Sequence, residues 1–352
     1  MPSKLAPPPP VAPETMLALL AVTVEFAAFE PWQDMTGSDV VGLADPANGE
    51  IRLACILGNA GEVFGVAIYR RQTGVRWIVN ALNGEAGSLN LDNAALMDAL
   101  KIEMVPKREM QKEDLSRLKA LNFKPAGKGF VWPQFRSVQP GWHPWFIDQT
   151  EAEQMLADVP RLTRFAALFR QHPDLFEKHL PGEFPFLPNP MPGRPLQLED
   201  LDWRPIIPPP EASDPFKATD EQLDLLRALK REARAAYEYG SRVVSGSTVL
   251  EKGRRSFSRI SLLVEHQNGL VLGFDLSLAG EPFVEAVGLG LVKTLLASGL
   301  LPGTLRVDDK RLESILGQLC KLLNIQLLPS PELDCLADAQ ASLESFMQSG
   351  AR

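Results

Sequence analysis

The sequence predicts an α+β protein of two domains, and three observations lead there. Its 352 residues exceed the usual size of one compact domain. A hydrophobic fraction of 45% against 23% charged residues gives each half material for a core of its own. Proline-rich stretches interrupt the chain at its start and again over residues 181–215. The expected organisation is a disordered proline-rich tail over 1–13, an N-terminal α+β domain over 14–180, a linker over 181–215 and a C-terminal α/β domain over 216–352.

The elements follow in order. The tail contains PPPPVAP, whose prolines donate no backbone hydrogen bonds and favour an extended spacer. A helix is expected from Pro13 to Phe29. The turn signal Asp45-Pro46-Ala47-Asn48-Gly49 then separates two apolar strands, and EVFGVAIYR makes a third. TGVRWIVNALNG and LDNAALMDAL read as helices. KIEMVPKREM reads as an edge strand broken by Pro106, and KEDLSRLKALNF as a helix with Leu115, Leu118 and Leu121 on one side. A long helical region follows the aromatic stretch discussed below, and Pro160 and Pro173 are expected to break or kink it.

In the second domain a helix is expected from the N-cap at Thr219 or Asp220 to Gly240. RVVSGSTVLE, SFSRISLLVEH and LVLGFDLSL read as three strands, the last two joined by the turn Gln267-Asn268-Gly269. Helix, strand, helix, strand and a closing helix complete the order β-β-β-α-β-α-β-α, a mixed five-stranded sheet.

A net charge of −8 argues against broad binding to nucleic acid or anionic membrane, although a local basic patch could act. The three cysteines, Cys55, Cys320 and Cys335, form no CxxC pair, so reduced thiols in the cytoplasm are expected. The apolar run near the start is set off by a proline tract and by Glu14 and Glu25, unlike an export signal, and no run is expected to reach transmembrane length. Motifs for zinc, a nucleophile elbow, a phosphate loop or a dinucleotide are missing, so no cofactor and no catalytic residue are assigned. His172 and His179 stand seven residues apart, too far for a chelating pair on one helix.

Three places could carry function. FVWPQFRSVQPGWHPWFI, residues 130–147, holds three of the six tryptophans. Its rings are expected chiefly to close the core of the first domain. Alternatively Trp132, Arg136, Trp142, His143 and Trp145 form a groove for a protein partner, because binding hot spots favour Trp and Arg. A second place lies between Arg227 and Arg259, where nine basic residues face three acidic ones. There a basic helix and a hairpin tip with Arg254, Arg255 and Arg259 could grip a phosphate backbone, or simply be a solvated face. The third is acidic: Asp34, Asp39 and Glu62 are candidates in the first domain, against the plainer reading as loop and turn residues.

The strand order of the second domain is similar to the ribonuclease H-like fold. NGLVLGFDLSL, LRVDD and LNIQLLP resemble the core of integrase-type transposases over residues 241–347. That resemblance implies acidic residues holding two divalent metals, with Asp308 or Asp309 in the second place and Asp334, Asp338 or Glu344 in the third. The strand RVVSGSTVLE offers only Glu251 for the first, which implies a degenerate, non-catalytic version. Over the whole chain, FEPWQDMTGSDVVGLADPANGEIRLACILGNAGEVFGVAIY and WPQFRSVQPGWHPWFI resemble an uncharacterised bacterial family of unknown function. The expected function is macromolecule binding without catalysis, with an unidentified protein as partner. Nucleic-acid association through a decayed ribonuclease H-like domain, or metal-dependent nuclease action, are the alternatives.

Overall fold

The computed structural model describes residues 5–45, 49–61, 63–84, 95–125, 131–189, 193–207, 214–330 and 332–350. Two compact units divide the chain: Ala6–Gln139 with Pro144–Pro209, and Pro140–His143 with Pro210–Arg352. The turn residues Pro46, Ala47 and Asn48, the candidate Glu62 and the aromatic Phe130 lie outside the described residues.

In the N-terminal unit, seven strands form one sheet in the order β5-β4-β3-β2-β1-β6-β7. They are β1 (Val41–Ala44), β2 (Ile51–Leu57), β3 (Phe64–Tyr69), β4 (Ala99–Pro106), β5 (Val131–Val138), β6 (Glu183–Leu187) and β7 (Asp202–Pro205). Only β1 and β6 pair in parallel. Strand periodicity sorts the side chains between the faces. Ala54, Ile56, Val66, Ile68, Leu100 and Ile102 pack with helices α1 (Pro13–Phe29) and α4 (Gln149–Gln171). Leu53, Cys55, Ala67, Tyr69 and Ala99 pack with α2 (Arg71–Leu82). Helix α3 (Lys112–Ala120) adds Leu118 to the larger core.

Five expectations need correction here. The stretch over 181–215 is not only a linker, because Phe184, Phe186 and Leu187 are buried in β6 and extend the sheet beyond β1. The proline-rich tail is tied down over its described part: the Pro9 carbonyl accepts from Arg117, Ala12 N donates to Gln149, and Val11 packs on the core. Of LDNAALMDAL, residues 91–94 lie outside the described residues, and its last two, Ala99 and Leu100, open β4; β4 is not the expected edge strand but lies between β3 and β5, with Pro106 at its last position. Pro160 sits inside a continuous α4. An interior proline costs about 3 kcal/mol, which is offset by burying Met155, Val159, Leu162 and Phe165 at roughly 1.5–3 kcal/mol each.

Helix α1 also revises the reading of length. The stretch Pro13–Gln33 is long and apolar enough, by length and composition, to cross a membrane. In the structure Met16, Leu19, Leu20, Thr23 and Phe26 of this helix are buried.

The C-terminal unit has five strands in the order β10-β9-β8-β11-β12: β8 (Lys230–Glu251), β9 (Arg254–Glu265), β10 (Val271–Leu278), β11 (Leu300–Val307) and β12 (Gln326–Pro329). The first three are antiparallel; β11 and β12 continue in parallel. Helix α5 (Asp220–Arg227) precedes them, and α6 (Phe283–Ser298), α7 (Lys310–Leu322) and α8 (Asp334–Gly350) follow β10, β11 and β12. The order β-β-β-α-β-α-β-α is the expected one. One face packs Tyr237, Tyr239, Leu263 and Leu305 on α6 and α7; the other packs Val244, Ile260, Leu262 and Val264 on α8.

The helix expected from Thr219 to Gly240 ends at Arg227, and KREARAAYEYG is the first half of the 22-residue strand β8. Helix propensities differ by less than about 1 kcal/mol per residue, whereas each buried tyrosine contributes far more apolar area. Tyr237 and Tyr239 are buried between β9 and β11, and that decides the conformation. Lys252 and Gly253, both at positive φ, turn β8 into β9 as a two-residue hairpin.

Candidate functional site

The aromatic segment is divided between the two units. Trp132 and Arg136 lie on β5, the edge strand that tolerates Pro133. Trp132 packs against the large core, where Lys107 approaches its ring and Phe123 meets it edge-on. Arg136 is buried and forms a two-pronged pair with Asp114, at 3.1 Å and 2.5 Å. Trp145 pairs back to Ser137 through its backbone and meets Phe146 edge-on.

Trp142 and His143 group with the C-terminal unit. Phe257 N and Ser256 Oγ donate to the Gly141 carbonyl at 3.0 Å and 2.9 Å, and His143 N donates to the Arg255 carbonyl at 3.0 Å. Gly141 has φ 79°, and a Cβ there would stand 2.1 Å from the Gly280 nitrogen. The His143 ring stacks on Phe257 at 4.0 Å; burial, then the Arg255 charge, lowers its pKa. Arg254 lies over the Trp142 ring at 5.1 Å. The five residues proposed as a groove are thus engaged inside their own units.

The basic strip is dispersed. Because β8 is extended, its basic residues are spread over a 22-residue strand, with irregularities in its pairing between Glu232 and Ala236 and between Val243 and Thr248. Several of its charges have acidic neighbours, including Arg227 with Asp224, Lys230 with Glu232 and Arg242 with Asp308. Arg259 is buried, donates to the Ser241 carbonyl and stacks over Phe283, so it is not placed to meet a phosphate. Lys252 and Arg255 are exposed at the tip of the β8–β9 hairpin, with Arg254 half-buried beside them.

Four of the candidate carboxylates, Asp34, Asp39, Asp308 and Asp309, have structural partners. Asp309 caps α7, accepting from Arg311 N and pairing with the Arg311 guanidinium. Asp308 accepts from Arg242 at 2.7 Å, and Asp334 and Asp338 are exposed on α8. The side chain of Glu344 lies outside the described residues. In the first domain Asp39 accepts from Thr36 N and Oγ1, and Asp34 pairs with Arg170. Among the described residues, no group of three or more His, Cys, Asp or Glu side chains is arranged to hold a metal.

Sequence reading missed an acid on the first strand, because that half of β8 carries helix-forming residues. Glu238 is buried, accepting from Leu336 N at the start of α8 at 2.8 Å and facing His266 Nδ1 at 2.5 Å. Arg306 in turn contacts His266 Nε2 at 2.5 Å. Every oxygen of Glu238 is thereby engaged, and the cluster ties β8 to α8.

The surface left open is the outer side of β10. Directly opposed residues of antiparallel strands share a face. Val271, Phe274 and Leu276 therefore stand beside Val264, Leu262 and Ile260 on the face that α8 covers. The inner column is buried, but the outer one is not: Val271 is 44% exposed, Phe274 61% and Leu276 56%. On the opposite face Lys293 holds Asp275 at 3.0 Å and 3.1 Å. Among the described residues, no strand pairs with the outer side of β10. The alternation of LVLGFDLSL marks a strand, but only the sheet order reveals that it lies at an edge.

Comparison with curated proteins finds no match. Residues 17–186 match the family model of one domain of unknown function, and residues 223–344 match another. The chain is thus similar to DUF7309 over its first part and to DUF6930 over its second, both domains of unknown function, in line with its resemblance to a two-domain family of unknown function.

Proposed function

We propose that this is a protein-interaction module, acting in the cytoplasm by binding and not by catalysis, and that the outer edge of β10 receives a partner's extended strand. The observation that carries this reading is the uncovered apolar column of Val271, Phe274 and Leu276 on a strand whose outer backbone groups have no described partner. Strand addition draws affinity from main-chain hydrogen bonds and specificity from alternate side chains. An edge with apolar residues at alternating positions offers both.

The test is capture of partners by the tagged full-length chain from its source cells, with and without nuclease, for wild type and Phe274→Asp. The expected outcome is a protein that survives nuclease and is lost with Phe274→Asp, while thermal unfolding changes little because the side chain is exposed. Capture unchanged by the substitution overturns the reading.

One observation favours a second reading, association with nucleic acid. The sheet order, three antiparallel strands continued by two parallel ones, agrees with the resemblance to a ribonuclease H-like domain, and Lys252 and Arg255 are exposed at the hairpin tip between β8 and β9. Captured material that disappears with nuclease and with Arg255→Ala supports this reading instead.

A further inference from the structure

We infer that the strand received by β10 is β10 of a second copy of this chain, an inference that rests on β10 being a protein-binding edge. The other three sheet edges carry features that discourage pairing. β5 has Pro133, β7 has Asp202, Arg204 and Pro205, and the four-residue β12 ends in Pro329. β10 has no proline, its single charged residue, Asp275, is held by Lys293, and its one irregularity, between Val271 and Gly273, leaves Phe274–Leu278 in regular register. A regular, unblocked edge segment in a chain that blocks its other edges is one that the assembled protein covers.

β10 also supplies what its own edge requires. A strand meets its own copy in antiparallel register about a two-fold axis. With the axis at Leu276, Leu276 faces Leu276 of the second copy, and Phe274 faces Leu278 of the second copy, twice by symmetry. Phe274, Leu276 and Leu278 of the apolar column are then matched, and Val271, beyond the irregularity, lies outside the paired segment. On the opposite face the same register places Asp275 against Ser277 of the second copy, so a carboxylate meets a hydroxyl. An axis one residue earlier would set the two Asp275 side chains against each other. An axis at Phe274 would oppose Leu276 to Leu272, which sits in the irregularity between Val271 and Gly273. An axis at Ser277 would oppose Leu276 to Leu278 but leave Phe274 against Gly280, without an apolar mate. Matching of apolar pairs and avoidance of like charge therefore select the Leu276 register.

The experiment is sedimentation of the full-length protein at micromolar concentration, for wild type, Leu276→Lys, and Leu276→Cys in a Cys335→Ser background. The wild type is expected to be a dimer. Leu276→Lys places two ammonium groups face to face and raises the dissociation constant by about a hundredfold or more. The cysteine variant forms a disulfide-linked dimer on oxidation, because position 276 faces itself across the axis; Cys55 and Cys320 are buried.

A wild type that is monomeric throughout, or a dimer that survives Leu276→Lys, overturns the inference. A dimer dissolved by lysine but not cross-linked overturns the register. If the chain is monomeric yet Phe274→Asp still removes a captured protein, the second copy is excluded while β10 stands as a binding edge. If that capture is also unaffected, both readings fall.

Discussion

The ion pair of Arg136 with Asp114 shows how a residue that looks functional in sequence can be explained by its surroundings. Arg136 lies among tryptophans in a segment suited to binding, but its guanidinium is buried with both prongs on one carboxylate and its face over the Phe146 ring. Removing one member of a buried pair leaves an uncompensated charge and costs about 3–5 kcal/mol. Asp114→Ala is accordingly expected to lower the stability of the N-terminal unit by about that amount, read as a shifted denaturant midpoint. A shift comparable with that of an exposed ion pair would return Arg136 to the surface. Arg259 teaches the same lesson: it looks like part of a basic patch in sequence, but its side chain is buried and stacked over the Phe283 ring.

At the scale of elements, local rules succeeded where they agreed with the packing. The expected first helix, Pro13 to Phe29, is found with those bounds, proline at its first position being suited to a helix start. Asp148 and Glu151 form a capping box at the start of α4, and Thr219 with Gln222 at α5. Local rules failed where packing overruled them, at Pro160 and over the first half of β8. The Pro160 case is testable. Proline there lacks the donor that would reach the carbonyl of Leu156, so Pro160→Ala is expected to raise the thermal midpoint of unfolding. A lower midpoint would mean that the ring contributes packing that outweighs the missing bond. The candidate site has the same history. Val271, Phe274 and Leu276 were legible as a strand, but Glu238 was hidden in a helix-like stretch, and neither the edge position of β10 nor the burial of Glu238 follows from periodicity.

For the molecule as a whole, each unit encloses a thiol in its core: Cys55 on β2 and Cys320 on α7. Burial pushes the Cys55 thiol up to about 11, although Tyr69, Lys101 and Ala67 oppose the shift, and pushes Cys320 up to about 12. An unfolded thiol ionises near its ordinary value of 9.0 while the folded one keeps its proton. The unfolded chain therefore holds fewer protons above that pH, and folding stability is expected to fall as pH rises past 9.0 toward 11. Denaturant titrations of wild type and of Cys55→Ala with Cys320→Ala check this; the double variant should lose less stability over the same range. An identical decline in both would assign it to other groups.

The sequence by itself determined the class of the protein. Composition and length required two cores, turn chemistry and periodicity placed most strands and helices, and the order of elements in the second domain was readable before any coordinates. These properties depend on neighbours along the chain. Tertiary structure alone decided which strands lie at edges, that 183–187 and 202–205 belong to a sheet, that β8 is extended through a helix-forming stretch, and which charges are buried. Exposure and pairing depend on residues distant in sequence. Phe274 and Leu276 read like any core alternation until the sheet order of the described residues places no strand beyond them.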